Sequence, residues 1–181
     1  MLMQITTQRL ELSAWTSADR PAMEALCTDT DVMRYIGNGK AMSRSELDVA
    51  LQQTIDHYHH GFGELAMRSR GCPDIIGECG LKLLEDGPDV EIGWMLMPRY
   101  WGCGLATEAA RAALHWGLAS LQLDEIVAVA DEQNHASLKI IDKLGMQFVG
   151  YARHYGSRLR KYSVTRQGCA AGRASTSSAL C

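Results

Sequence analysis

The sequence predicts a mixed α/β (α+β) fold, and three observations carry that expectation. Three strand patterns with tight turns between them follow one another over residues 64–97, which reads as an antiparallel meander. Behind the meander the chain alternates helix and strand patterns, the order of an α/β unit. The 181 residues, 46% hydrophobic and 22% charged, are enough for one ordinary globular core, so a single domain is expected over residues 1–166.

The elements follow in order. Across residues 9–15, Leu10, Leu12 and Ala14 alternate with Glu11 and Ser13, the period of a half-buried strand. Thr16 and Asp19 have capping-box spacing, and Pro21 suits the first turn of a helix running to about Cys27. A short helix over 31–36 is stopped by Gly37. Ser43 and Glu46 repeat the capping pattern, and Leu47, Ala50, Leu51, Ile55 and Tyr58 recur behind them at helical spacing. Residues 64–69, 75–84 and 90–97 read as strands, separated by Cys72-Pro73-Asp74 and Glu85-Asp86-Gly87-Pro88. A long helix is expected over 105–120, where Leu105, Ala109, Ala112, Trp116 and Ala119 share a face. The apolar, β-branched run 125–130 marks a buried strand. A short helix over 136–144 ends at Gly145, and the last strands are expected at 146–151 and 160–165. From about Gln167 the chain is rich in Gly, Ala, Ser and Thr without period, and is expected to be disordered. There is no internal repeat.

Several function classes fit poorly. A net charge of −3 argues against a general nucleic-acid binder, which carries a basic surface. No stretch approaches the roughly 18 apolar residues of a membrane span, and the first nine residues lack a signal-peptide pattern, so a cytoplasmic protein is expected. Cys27, Cys72, Cys79, Cys103, Cys169 and Cys181 form no CxxC pair and no zinc spacing, and read as reduced thiols. His57, His59 and His60 have no carboxylate motif beside them and read as a solvated helix end, so no metal is expected.

Between the strand ending at Met97 and the helix starting at Leu105 lies Pro98-Arg99-Tyr100-Trp101-Gly102-Cys103-Gly104. A glycine-containing strand-to-helix loop points several N–H groups one way, and the helix start adds a partial charge of about +0.5. Gly102 and Gly104 lack Cβ, so an anion can approach the backbone. A plain turn that uses glycine for its dihedrals remains the alternative. The loop is not a P-loop, because Leu105 follows Gly104 where lysine is required. It is not a dinucleotide fingerprint either, because Thr107 takes the place of the third glycine.

Arg99-x-x-Gly102-x-Gly104 resembles the Gln/Arg-x-x-Gly-x-Gly/Ala signature of the GNAT N-acetyltransferase superfamily. The longer run Tyr100-Trp101-Gly102-Cys103-Gly104-Leu105-Ala106-Thr107-Glu108-Ala109 is similar to the branch containing the ribosomal-protein N-terminal acetyltransferases RimJ and RimL. Further pieces resemble that branch in its own order, from Thr7 to Thr165. They are Thr7-Gln8-Arg9-Leu10 with Trp15, Ile76-Gly77-Glu78-Cys79-Gly80-Leu81, Glu91-Ile92-Gly93-Trp94, Asn134-x-x-Ser137 and Lys143-Leu144-Gly145-Met146. The resemblance implies a GNAT-like fold: a mostly antiparallel sheet, central parallel strands 90–97 and 125–130 splayed at their ends, and helices on both faces. It implies acetyl-CoA as co-substrate. The pantetheine arm would lie on the backbone of Trp94, Met95, Leu96 and Met97, and the pyrophosphate on Arg99, Gly102, Cys103, Gly104, Leu105, Ala106 and Thr107. Asn134 and Ser137 would flank the pantetheine. The implied acceptor is a protein N-terminus, with a small-molecule amine as the rival; neither a nucleic acid nor a membrane partner is implied, and the chain would be a monomer or homodimer.

The implied reaction is direct attack of an amine on the acetyl thioester. It needs a neutral amine, a stabilised oxyanion and a proton for the leaving thiolate. The resemblance assigns the oxyanion to a backbone N–H near Leu96. Many members carry a tyrosine seven residues after the motif asparagine as the acid. Here Ile141 stands there, and the RimL-like branch implies Ser137 instead. Ser137 equally suits a first-turn residue bonded to its own backbone, and Asn134 suits an N-cap. Glu91 and Glu78 are the base candidates, each in an otherwise apolar strand where burial would raise its pKa; a solvent-facing position is the alternative for both. An α-amino acceptor, with a pKa near 8, needs less help from a base than a lysine. Cys103 reads as a permissive loop position, because direct transfer needs no acyl-enzyme. An acyl-CoA-binding sensor without turnover is the competing reading, kept open by Ile141.

Overall fold

The computed structural model describes residues 3–85 and 87–167; the segment after Gln167 expected to be disordered lies outside the described residues, as do Cys169 and Cys181. The strands are β1 (Gln4–Thr6), β2 (Leu10–Ala14), β3 (Glu64–Ser69), β4 (Ile75–Leu83), β5 (Val90–Leu96), β6 (Glu125–Ala130), β7 (Gln147–His154) and β8 (Ser157–Thr165). They form one sheet in the order β1-β2-β3-β4-β5-β6-β8-β7. The meander is as expected: β2, β3, β4 and β5 pair antiparallel in sequence. Among the described residues the single parallel contact is β5 with β6, and its register holds only Glu91↔Val127. Beyond that point β5 stays with β4 through Gly77↔Leu96, while β6 stays with β8 through Ala130↔Arg160. The two strands therefore part at one end, as the resemblance implies.

Helices cover both faces. One face carries α4 (Leu105–His115) and α5 (His135–Lys143) over Leu10, Leu12, Leu65, Met67, Cys79, Leu81, Ile92 and Leu96. The other carries α1 (Arg20–Cys27), α2 (Thr30–Met33) and α3 (Arg44–His57), which enclose Trp15, Met23, Leu26, Leu47, Leu51 and Ala66. Both capping boxes read from the sequence form, at Thr16/Asp19 and Ser43/Glu46. No helix among the described residues is long and apolar enough to cross a membrane.

Five elements differ from the sequence reading. β1 is only three residues long, too short to show a period. The helix expected at 31–36 is α2, which starts earlier because the Asp29 side chain accepts from the N–H groups of Asp31 and Val32. The helix expected over 105–120 ends its α-helical part at His115 and continues as a π-helical turn, Trp116–Ser120. In that turn Gly117 lies so close to the sheet that a Cβ would stand 2.6 Å from Ile126 Cδ1 and 2.7 Å from Leu81 Cδ1. Finally β7 runs on to His154 and β8 begins at Ser157. Their shared end is polar and mostly exposed, so no apolar alternation announces it.

Gly80 shows how tightly the front of the sheet is drawn. A Cβ there would stand 2.3 Å from Gly63 O and 2.6 Å from Glu64 Cα, both backbone atoms that cannot swing away. Gly80→Ala is expected to lower the unfolding free energy by about 2 kcal/mol, measured by urea titration. An unmoved midpoint would show that the β3–β4 crossing has slack.

Candidate active site

The parting of β5 and β6 exposes backbone. Met97 N–H donates to Ile76 C=O at 2.9 Å. Hydrogen-bonding direction alternates along an antiparallel ladder, so Met95 and Gly93 also turn to β4. Trp94 and Leu96 direct their N–H and C=O groups to the other side, into the gap. The Leu96 carbonyl there accepts from the Trp101 indole at 2.6 Å, which ties the following loop to the end of β5. Leu96 N–H is thus a backbone donor facing the gap, an arrangement that fits a pantetheine arm with its own amide groups.

The loop after β5 is a row of donors. Arg99 lies in a short 3₁₀ turn, Pro98–Tyr100, its guanidinium 4.9 Å from the Tyr100 ring centroid. Gly102 and Gly104 take φ of +75° and +77°, the left-handed region where a side chain is strained. Gly104 is the N-cap of α4, with no side-chain cap. Among the described residues no acceptor takes the N–H groups of Gly102, Cys103, Gly104, Leu105, Ala106 or Thr107. An anion would satisfy them with the helix dipole behind it, so the loop fits a pyrophosphate.

A brace behind the loop explains the Thr7-Gln8-Arg9 motif. The Glu108 carboxylate accepts from Thr7 Oγ1 at 2.7 Å, Arg9 N–H at 2.9 Å and Arg9 Nε at 2.6 Å. Arg9 Nη1 in turn donates to Cys103 C=O at 3.0 Å. Burial opposes the Glu108 charge, yet the Thr7 and Arg9 donors hold its carboxyl below the usual range. A cation is thereby fixed against the anion cradle.

The chemistry collects in a cleft of about 720 Å³ on the face carrying α1–α3. Glu78, Glu91, Trp94, Met95, Asn134 and Ser137 all line it. Glu78 and Glu91 are only 6% and 5% exposed, so neither is the solvent-facing strand residue that the sequence left open. Burial pushes the Glu78 carboxyl well above the usual carboxylate range, and the nearby Glu64 adds to the effect. Burial also raises Glu91, against the pull of Lys82 and of a hydrogen bond from Tyr155 OH at 2.5 Å. Lys82 favours the charged form of both carboxylates, but they differ in their hydrogen-bond donors: Glu91 accepts from Tyr155 OH, whereas the Trp15 indole N–H near Glu78 meets no acceptor at hydrogen-bond geometry. Between them Glu64 leans across Gly80, its Oε1 3.3 Å from where a Gly93 Cβ would be, and pairs with Lys82 Nζ at 3.1 Å. Burial works against the Lys82 charge, but Glu64, Glu91 and Tyr155 outweigh it and raise its pKa.

On the β6 side, Asn134 caps α5 by accepting from Ser137 N–H at 3.1 Å. The Asn134 cap is therefore real, and its residue still lines the cleft. The Ser137 hydroxyl makes no hydrogen bond among the described residues, so the back-bonded alternative does not occur and the O–H is available to the cleft. Ile141 is 1% exposed and belongs to the core beneath α5, away from any proton transfer. One sequence expectation needs correction: the histidine cluster is not wholly solvated. His57 is half-buried, and its Nε2 accepts from Leu83 N–H at 3.3 Å, while His59 and His60 are exposed. No group of three or more His, Cys, Asp or Glu among the described residues is arranged to hold a metal. Cys103 is exposed on the loop. Sequence reasoning missed Glu64, Lys82, Tyr155 and the Arg9–Glu108 brace; for the last, the position of Glu108 in the first turn of the helix, four residues after Gly104, was the available signal.

Comparison with known proteins agrees with this geometry. Residues 9–147 match the acetyltransferase (GNAT) domain family. The Bacillus subtilis protein YkkB is 29% identical over 163 residues, covering 88% of this chain and 90% of that protein. An acetyltransferase from Agrobacterium tumefaciens superposes with a TM-score of 0.80 at 24% identity, over 91% of this chain and 95% of the other. RimL, a ribosomal L7/L12 α-N-protein acetyltransferase solved with coenzyme A, superposes with a TM-score of 0.77 at 16% identity, over 92% of this chain and 99% of the other. At these identities the structural likenesses speak for the fold, and the family match speaks for descent: the chain belongs to the GNAT acetyltransferase family.

Proposed function

We propose that this chain is an acetyl-CoA-dependent N-acetyltransferase that acetylates a primary amine by direct transfer. The observation that carries the reading is the meeting, in one cleft, of the parted β5 backbone with a buried carboxylate at its apex, Glu91. When bound, acetyl-CoA supplies the activated acetyl group as a thioester. The loop N–H groups from Gly102 to Thr107 and the braced Arg9 hold its phosphates, and the Trp94 and Leu96 backbone orients its arm. Leu96 N–H donates to the oxygen that gains charge, a contribution of about 3 kcal/mol for one such donor. Glu91 takes a proton from the acceptor ammonium so that a neutral amine attacks. Ser137 O–H donates its proton to the departing sulfur and is reprotonated by the second proton that the attacking nitrogen sheds, so coenzyme A leaves as the thiol. The acceptor is cationic when it arrives, and the cleft suits it: six acidic residues, Glu85 and Asp131 at its rim among them, line it against one lysine and three histidines. A small-molecule amine and a protein N-terminus both satisfy that chemistry.

Purified protein given acetyl-CoA with a panel of small amines and N-terminal peptides should release free thiol in an amine-dependent way; coenzyme A binding without such release would leave a sensor. Because burial raises Glu91, which acts only when ionised, kcat/KM should fall on the acid side at a pH above the usual carboxylate range. Glu91→Gln should abolish that limb and slow turnover by about 10²-fold. Ser137→Ala should lower kcat by about 10²-fold if its hydroxyl is the acid, whereas an unchanged rate removes it from the reaction. Gly102→Val forces a branched side chain into left-handed backbone and should weaken coenzyme A binding about tenfold or more, read by calorimetry on folded protein.

A further inference from the structure

The tip of the β7–β8 hairpin goes against its own turn chemistry. Tyr155 and Gly156 are its two central residues, with φ of +52° and +74°. A two-residue hairpin turn with both φ positive favours asparagine, aspartate or glycine at the first position. Tyrosine there is strained. Across from it, in the β4–β5 turn, Glu85 is a second non-glycine residue at positive φ, +49°. The two strained turns meet. Glu85 Oε1 accepts from Tyr155 N–H at 2.8 Å, and Glu85 Oε2 pairs with His154 Nδ1 at 2.7 Å. The result is that the Tyr155 phenol reaches into the cleft, donates to Glu91 Oε2 at 2.5 Å, and sets its ring 5.5 Å from Lys82 Nζ. Strain of this kind survives where the surroundings over-determine it, and it collects at functional sites.

We infer that Tyr155 is a positioning residue for Glu91: the hairpin tip, clamped by Glu85, sets the orientation and the charged form of the carboxylate that receives the acceptor's proton. The inference rests on Glu91 being the base of the proposed reaction. The charged and titratable groups facing Glu91 are Lys82 and Glu64 from the sheet and His154 and Tyr155 from the hairpin. From the end of α3, His57 looks instead to His60, Glu64, His59 and Lys82. Burial drives Glu91 toward its neutral form, and Lys82, Tyr155 and His154 oppose it. Deleting the Tyr155 hydroxyl removes one of those three opposing groups, so the Glu91 carboxyl should titrate at higher pH.

Tyr155→Phe keeps the ring and the turn. It should lower kcat/KM about tenfold, leave coenzyme A affinity unchanged and move the acid limb of kcat/KM to higher pH. Carboxyl-carbon NMR of Glu91 in the protein without acetyl-CoA should show the same upward shift. Tyr155→Asn suits the turn better than the parent residue, so a residue serving only the turn would leave that variant fully active; the expected result is a folded protein as slow as Tyr155→Phe. On a Glu91→Gln background, Tyr155→Phe should add no further loss. Parental rate and an unmoved Glu91 titration in Tyr155→Phe would overturn the inference. If Glu91→Gln itself kept the parental rate, the base assignment would fail instead, and the NMR titration would still decide whether Tyr155 sets the Glu91 charge.

Discussion

Everything at the cleft depends on a parallel strand pair that holds for one register position and then lets go. Glu91↔Val127 is that position. There the two antiparallel ladders meet; beyond it β5 and β6 follow their antiparallel partners, β4 and β8. Parallel pairing is slightly weaker per residue than antiparallel pairing, so the junction between two antiparallel ladders is where a sheet can open without disturbing either. The opening leaves the Trp94 and Leu96 backbone facing empty space and puts Glu91 at its closed end. The loop from Pro98 to Gly104 and the N-terminus of α4 follow directly from the free end of β5.

The gap has two chemically opposite ends. At the loop, unpaired N–H groups, a helix start and the Glu108-braced Arg9 favour anions. At the apex, Glu64, Glu78 and Glu91 crowd around Lys82. A net charge of −3 averages these away; it gives no hint that one end of the gap gathers backbone donors and an arginine while the other gathers carboxylates. The separation also suits a reaction between a polyanionic donor and a cationic acceptor, because each finds the opposite sign where it must bind.

Much of the scaffold was legible because it is local. Capping boxes, the strand period of β2, the apolar run of β6, the turn before β4 and the glycine loop each need only a few neighbouring residues to be recognised. The loop alone was compatible with a plain turn; its reading as a cofactor site came from the colinear resemblance, and the free N–H groups and positive-φ glycines agree with it. The missed features are those made by residues far apart in the chain. Arg9 and Glu108 are 99 positions apart, and Tyr155 and Glu91 are 64 apart. No period or spacing links such pairs; sheet order does, by bringing the β7–β8 tip around to the β4–β5 turn.

By itself the sequence determined the order of the elements, the glycine loop between strand and helix, and the family resemblance that joins them, since each is written in residues that lie close together along the chain. It also excluded Ile141 as a proton donor, because side-chain chemistry needs no coordinates. The tertiary structure decided what two glutamates of the same type are worth. Glu78 and Glu91 sit in similar apolar surroundings on paper, yet one accepts a tyrosine hydroxyl and the other lies near an indole N–H that completes no hydrogen bond. A carboxylate's pKa and direction are set by the few groups within reach, and which groups those are is a property of strand register and hairpin geometry rather than of sequence distance.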